Sequence, residues 1–425
     1  MRSIPKKSKA RPFKPHPFFS KATPLDNPET AKQRFLEKFN AGLFEEALQV
    51  ALAFIKISPN SVYGWSDAAV CCTRLERWSE AVQYGLQALS LDQKILPALD
   101  ALAHSYGGLR DWVNVRRYGS MALALRDETF GLKNVDDWPI PKAMPLSSER
   151  ERNVIAFSLF GENAKYGETA VLNVLEQPAI YPDWTCRFYV DETVPAHITD
   201  RLRAFGGDVR QVTDEQKRWP GPMWRFAAYD DPIVERVIFR DADSVISTRE
   251  SGAVAEWIDS GKAFHMMRDA GSHTELILAG LWGCVRGALP STSEQIADFL
   301  TQPLASVHFA DQFFLREYVW PYARRSITTH DSLFDFFGGQ PFPEGSHRDD
   351  FHTGYAEGSP MFSSAVDLPD GAVVTWSLWD QRQTPTQMIC RYPATVQAKQ
   401  INAHLPARYA KLINQGLIIK VETGA

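Results

Sequence analysis

The chain has 425 residues, 44% of them hydrophobic and 23% charged, with a formal net charge of −5. That length exceeds what one hydrophobic core ordinarily serves, so two or more domains are expected. The small net charge argues against a general nucleic-acid surface, and no run of about 18 apolar residues offers a membrane-spanning helix.

The N-terminal stretch MRSIPKKSKARPFKPHPFF is basic and proline-rich, and seven Lys and Arg precede the first acid, Asp26. No apolar segment follows it, so it does not read as a secretory signal peptide. Residues 1–27 read as a disordered basic tail. The alternative is an electrostatic anchor to anionic lipid at the inner face of a membrane. Five cysteines, Cys71, Cys72, Cys186, Cys284 and Cys390, are odd in number and show no CxxC spacing. They point to reduced, buried thiols in a cytoplasmic protein, not to a disulfide frame or a zinc site.

Residues 28–130 carry an internal repeat. LFEEALQV (43–50) is echoed by RWSEAVQY (77–84) and DWVNVRRY (111–118), which places Phe44, Trp78 and Trp112 at successive intervals of 34 residues. Ala47, Ala81 and Val115 follow the same interval, as do Ala69 and Ala103, Ala88 and Ala122, and Tyr84 and Tyr118. Small residues at helix crossings and an aromatic at the turn mark paired helices that bury their apolar faces only by stacking. The pattern resembles the tetratricopeptide repeats, over about three units. The resemblance implies a groove for a protein partner; the alternative is a helical brace for the rest of the chain. The proline-bearing stretch NVDDWPIPKAMPLSSERER reads as a linker over residues 131–150.

From residue 151 to 425 the pattern changes to strands alternating with helices. RNVIAFSLFG, CRFYV, DVRQV and VERVIFR read as strands; GETAVLNVLEQ, AHITDRLRAFGG and PMWRFAAYDD read as helices. Such alternation predicts an α/β domain with a mostly parallel sheet, whose ligand site lies beyond the carboxyl ends of the strands. There VERVIFRDADSVIS runs out in two acids, Asp241 and Asp243. One residue apart in extended chain, they share a side. Their mutual repulsion is relieved by a cation, and a hard divalent ion with water and phosphate oxygens suits them. The competing reading is a solvated acid pair at a strand end.

The region from Asn153 to Ser332 resembles glycosyltransferases of the Rossmann-like GT-A fold. The matching pieces are FSLFGENAKYG (157–167), FYVDETVP (188–195), MWRF (223–226), RDADS (240–244), MMRDAGSH (266–273), ILAGLWGCVRG (277–287), DQFFL (311–315) and THDS (329–332). It looks most like bacterial transferases of this fold with the same order of motifs. An Asp-Gln pair and a late histidine are also features of retaining galactosyl- and glucosyltransferases. DQFFL departs from that group, which often has a further acid after the glutamine.

The resemblance implies a hexosyltransferase with a DXD motif and Mn2+ or Mg2+ as cofactor. Asp243 is then a metal ligand, Asp241 touches the metal or the ribose, and His330 is the third protein ligand, with Asp331 as its fallback. Asp311 and Gln312 hold donor-sugar hydroxyls near the anomeric carbon. Asp311 is the base if the enzyme inverts; if it retains, the leaving phosphate takes the proton. An N-cap is the structural alternative for Asp311. Arg225 and Arg268 are diphosphate candidates, since guanidinium pairs bidentately with such anions. Ser158 and Tyr166 follow the first strand, where base and ribose rest; Asp269 and His273 line the sugar pocket, and Gly280 and Gly283 let the backbone approach the ligand.

GSHRDDFHTGY (345–355) reads as a polar acceptor loop or, alternatively, a second metal site at His347, Asp349, Asp350 and His352. Residues beyond about 360 read as mixed strand and helix, with Trp376 and Trp379 packed back on the core. The leading expectation is a metal-dependent glycosyltransferase using a nucleotide-sugar donor and a glycan, lipid-linked or protein acceptor, with no nucleic-acid partner. Two other readings compete with it. One is a non-catalytic repeat scaffold. The other is a nucleotidyltransferase, for which FSLFGENAKYG is a poor triphosphate loop. The division at the linker predicts that donor hydrolysis does not need the repeats.

Overall fold

The computed structural model describes residues 28–423, apart from residues 143, 305, 308 and 344–351. The basic tail, and His347, Asp349 and Asp350 of the late polar cluster, lie outside the described residues.

Six helices form the first region: α1 Pro28–Asn40, α2 Phe44–Ile57, α3 Val62–Arg74, α4 Trp78–Leu91, α5 Leu96–Gly108 and α6 Trp112–Phe130. The in-phase aromatics Phe44, Trp78 and Trp112 open the second helix of each pair. The in-phase alanines explain the stacking: Ala47, Ala81, Ala69 and Ala103 are all fully buried. With only a methyl group between axes, neighbouring helices approach closely, and Leu99, Leu102 and Tyr118 fill the remaining space. This region is a tetratricopeptide-type helical array.

The stretch after α6 does not hang free. Arg325 Nη1 donates to the carbonyls of Val135 (2.7 Å) and Trp138 (2.9 Å), and Trp138 Nε1 donates to Gly287 O at 3.0 Å. Arg236 Nη2 holds Met144 O at 2.7 Å. Charged donors satisfying successive carbonyls fasten this segment along the second region.

The second region is built on a seven-stranded sheet. Its strands are β1 Asn153–Leu159, β2 Thr185–Val190, β3 Asp208–Gln211, β4 Arg236–Phe239, β5 Phe264–Arg268, β6 Trp282–Val285 and β7 Ile327–Asp331, in the order β3-β2-β1-β4-β6-β5-β7. All neighbours are parallel except β6, which runs antiparallel to both β4 and β5. Helices α7 Ala164–Ile180, α8 Ala196–Ala204, α9 Thr248–Ser260, α10 Thr292–Phe299 and α11 Ala310–Phe314 accompany the sheet. Every residue of β1, β4, β5 and β6 is buried. Burial on both faces is why β1 and β4 read as near-continuous apolar runs and not as alternating ones.

Successive strands β1, β2 and β3 run out to one edge, whereas β4 returns to pair with β1 on its other side. The chain therefore reverses its direction of travel between β1 and β4, and a crevice opens beyond their carboxyl ends. PMWRFAAYDD, expected as a helix, forms the 3₁₀-helix Gly221–Asp230 across this end of the sheet. The stretch beyond 360 combines antiparallel strands, β8 Met361–Ala365, β9 Val373–Asp380, β10 Gln387–Thr395, β11 Gln400–His404 and β12 Leu417–Thr423, with one short helix, Ala407–Ala410. Trp376 is buried there against Phe362 and Tyr392, while Trp379 sits nearer the surface under Lys420 Nζ.

Helix α6 and the α/β region share one core. Val115 and Leu123 pack with Leu333 and Phe334. Arg126, buried, bridges Asp100 of α5 (2.7 Å) and Glu275 (3.2 Å), and Thr274 Oγ1 donates to Asp100 at 2.7 Å. Gly271 is pressed so near α5 that a Cβ would stand 2.9 Å from Ala103 O. The repeats thus brace the loop between β5 and β6, which forms one wall of the crevice.

Candidate active site

A cleft of about 390 Å³ occupies the crevice. Ser158, Phe160 and Tyr166 line it from the end of β1 and the start of α7, and Asp241 and Asp243 from the turn after β4. His273, Leu278 and Gly280 line it from the β5–β6 loop, and Phe309, Asp311 and Gln312 from α11 and the residue before it. The fold therefore gathers nine of the residues singled out from sequence: Ser158, Tyr166, Arg225, Asp241, Asp243, His273, Gly280, Asp311 and Gln312.

Their chemistry differs in detail from the expectations. Strand β4 stops at Phe239, so Asp241 and Asp243 lie on a turn closed by Ser244 N–H donating to Asp241 O at 3.2 Å. Each carboxylate has its own protein cation. Arg225 Nη1 donates to Asp241 Oδ1 at 2.6 Å, and Lys165 Nζ stands 2.8 Å from Asp243 Oδ2. A Cβ at Gly280 would collide with the Asp241 carboxylate, so a larger residue there would displace that side chain.

Arg225 is almost fully buried and acts as a clamp. Besides Asp241 it donates to Arg240 O (2.7 Å) and to Asp311 Oδ2 (3.0 Å). Two carboxylates from elements 70 positions apart in sequence are thereby tied to one guanidinium. Ser158 Oγ is equally committed: it accepts the Arg225 backbone N–H (2.9 Å) and donates to Pro222 O (3.1 Å). Both side chains are thus tied to protein partners, which the sequence did not show.

Asp311 is the second residue of α11, not its cap. Burial raises its carboxyl pKa, Arg225 opposes the shift, and Asp241 adds to it. Gln312 Nε2 donates to Ile277 O at 3.0 Å, which joins α11 to the facing wall and orients the amide. His273 Nδ1 accepts the Asp269 N–H at 3.0 Å, so Nε2 carries the proton of the neutral ring. Burial and then the neighbouring His352, whose ring lies 5.0 Å away, push its pKa well below the ordinary value.

Four expected site residues lie elsewhere. Gly283 lies inside β6, where a Cβ would stand 2.7 Å from the Ile238 side chain, so its close approach is to β4 and not to a ligand. His330 is fully buried on β7, with Nδ1 2.9 Å from His265 Nε2 and Nε2 2.9 Å from Glu256 Oε2. Its side chain faces α9, and both ring nitrogens are engaged, so it is not a ligand beside Asp243. Asp331 is no substitute, because its carboxylate accepts the N–H groups of Leu333, Phe334 and Phe336. Arg268 sits behind the cleft wall, donating to Glu275 O (3.1 Å) and Leu276 O (2.6 Å). Asp269 is likewise behind it, bound to Arg249, Ser332 Oγ (2.7 Å) and Thr353 N–H (3.0 Å). Burial works to raise the Asp269 pKa, but Arg249 and the other donors prevail and bring it down to about 2.

Lys165, Phe160 and Phe309 were not singled out from sequence. Lys165 and Phe160 fall within FSLFGENAKYG, and the signal that could have found Lys165 is a lone lysine at the start of α7, the helix that follows the first strand. Among the described residues, no group of three His, Cys, Asp or Glu side chains is placed to hold a metal by itself. The two carboxylates fit a hard cation that takes one or two carboxylates and completes its shell with water and phosphate oxygens. They do not fit a site with three protein ligands.

No protein-family profile matches the chain. Over 93 residues it is 34% identical to the Inactive TPR repeat-containing thioredoxin TTL3 of Arabidopsis thaliana, a match covering 22% of this chain and 14% of that protein. The chain thus spans about a seventh of the curated relative it matches. Among solved structures it is similar to the TPR2B-domain:pHsp70-complex of yeast Sti1, with 20% identity, TM-score 0.23, and 24% of this chain and 80% of the other covered. It is also similar to an O-GlcNAc transferase mutant of Thermobaculum terrenum, with 13% identity, TM-score 0.27 and 50% of each chain covered. Among the described residues, no helix is long and apolar enough to cross a membrane.

Proposed function

We propose that the chain is a metal-dependent glycosyltransferase of the GT-A type that moves a hexose from a nucleotide-sugar to a glycan, lipid-linked or protein acceptor. The observation that carries this reading is the meeting of Asp241 and Asp243 with Asp311 and Gln312 in one cleft at the reversal point of a parallel-rich sheet. Asp241 and Asp243 would hold Mn2+ or Mg2+, which when bound supplies charge stabilisation to the diphosphate leaving group. The exposed ring of Phe160 and the ring of Tyr166 would form the wall for the nucleotide base. Asp311 and Gln312 would meet the hydroxyls of the donor sugar, with Arg225 fixing the Asp311 carboxylate and the Ile277 carbonyl fixing the Gln312 amide. His273, neutral with its proton on Nε2, would donate to an oxygen of donor or acceptor without adding charge. The repeats would present a protein partner or acceptor while bracing the wall that carries His273.

The test is slow hydrolysis and binding of a panel of nucleotide-sugars by the full chain, with and without manganese. At least one donor should bind and release its nucleoside diphosphate only with the metal, and Asp243→Ala should abolish both. If no donor binds under any metal condition, the transferase reading is wrong and the non-catalytic scaffold stands.

A further inference from the structure

If the cleft binds a nucleoside diphosphate, a cation of the chain must meet the phosphate charge, and the two arginines expected to do so are committed. Arg225 is spent on Asp241, Asp311 and the Arg240 carbonyl, and Arg268 on two carbonyls behind the wall. Lys165 is held differently. Its ammonium stands 2.8 Å from one oxygen of Asp243, and its side chain keeps 22% of its surface exposed. The same Nζ lies 5.0 Å from the centroid of the Tyr166 ring.

The backbone beneath Lys165 is fixed. Asn163 Oδ1 accepts the Lys165 N–H at 2.9 Å, and Gly358 packs so tightly on the Lys165 carbonyl that a Cβ there would collide with it. Gly358 N–H also donates to Asp243 O at 3.2 Å, so one strap registers both members of the pair. A fixed backbone with a flexible four-carbon stem lets the ammonium change partner without any movement of the fold.

We propose that Lys165 is the diphosphate-binding cation of this cleft, resting on Asp243 in the free protein and passing to a phosphate oxygen when Asp243 takes a divalent cation. The inference rests on the transferase reading. Charge decides the exchange. A divalent ion on Asp243 repels the ammonium from that carboxylate, and the phosphate that arrives beside it is a stronger charged acceptor. An ammonium has three donors and no fixed fork, so it follows whichever oxygen carries the charge.

The two roles give opposite signs, and these are measurable on the full chain. Manganese alone is titrated by electron paramagnetic resonance, and inorganic pyrophosphate by calorimetry at saturating manganese. Lys165→Met keeps an unbranched stem of similar length and removes the charge. It should bind manganese alone at least as tightly as wild type, because Asp243 loses its resident competitor. It should bind pyrophosphate about tenfold more weakly, the scale of one charge-assisted hydrogen bond. Lys165→Arg, which keeps the charge, should recover most of that loss. Unchanged pyrophosphate affinity in Lys165→Met, or equal loss of manganese and pyrophosphate binding, overturns the role. A wild-type chain that binds neither probe overturns the transferase reading itself. A wild-type chain that binds both, with Lys165→Met unaltered, removes only Lys165.

Discussion

Asp311 lies between opposing influences: burial raises its pKa, Arg225 lowers it, and Asp241 raises it again. In the proposed reaction that carboxylate meets the sugar, so Asp311→Asn should lower transfer by about 10²-fold or more while leaving manganese binding intact. Steady-state rates beside a manganese titration check this. His330→Gln should do the reverse of what the sequence implies. Manganese affinity should stay within about twofold of wild type, because the ring is spent on His265 and Glu256, and stability should fall by about 1–3 kcal/mol for the orphaned buried partner. Asp269 offers a pH test. Its folded pKa is depressed to about 2, so its stabilisation is present above the ordinary carboxylate range and is lost as pH falls through about 2. Asp269→Asn should therefore remove about 2 kcal/mol at neutral pH and flatten the acid limb of the stability curve. At this scale the sequence showed which residue types belong to the cleft but not what each touches. Asp241, Asp243, Asp311 and Gln312 stood out because carboxylates and amides at strand ends and helix starts are costly without a use. His330 misled because its strand can face either layer, and only the pairing of β7 with β5 decides that it faces α9.

Elements were legible where one force dominated. The interval from Phe44 to Trp78 to Trp112 announced the helix pairs, because buried alanines and aromatics recur whenever identical units stack. Strands β1 and β4 were equally plain, whereas β5 and β6, interrupted by His265, Arg268 and Gly283, do not stand out as strands in the sequence. The turn carrying Asp241 and Asp243 was not, since the apolar run gives no sign that pairing with β6 ends at Phe239. The antiparallel sheets after residue 360 were also obscure, because their pairing partners are not determined by local pattern. In the repeats, Asp67 gives a prediction for the element it sits on. Burial raises its pKa to about 6, with Lys32 opposing from 3.9 Å. A carboxylate raised in the folded state costs stability as pH climbs from about 4 to about 6 and remains a cost above that. Asp67→Asn should therefore raise the stability of the repeats at neutral pH by about 1–3 kcal/mol and remove the dependence across that window. Thermal melts of the full chain at pH 4, 5, 6 and 7, wild type against variant, measure it.

For the whole molecule, the repeats and the α/β region behave as one body at their junction. A linker rich in proline suggested two separable units, but Val115, Leu123, Leu333 and Phe334 form a common core, and Arg126 is buried between Asp100 and Glu275. A chain beginning at residue 140 would expose Phe334 and strip the brace from the loop that carries His273. It should lose cooperative melting and donor hydrolysis together, which is the opposite of what the linker alone predicts. Cys71, Cys72, Cys186, Cys284 and Cys390 are all buried and unpaired, so no disulfide compensates for that loss. Above these details stands the claim that the cleft beyond β1 and β4 holds a nucleotide-sugar through Asp241 and Asp243. Calorimetric titration of the full chain with nucleotide-sugars, with manganese and with a chelator, addresses it most directly. Saturable binding of at least one donor is expected with manganese and is lost both with chelator and in Asp243→Ala; binding that is indifferent to manganese and to Asp243, or no binding at all, contradicts a nucleotide-sugar site on this pair.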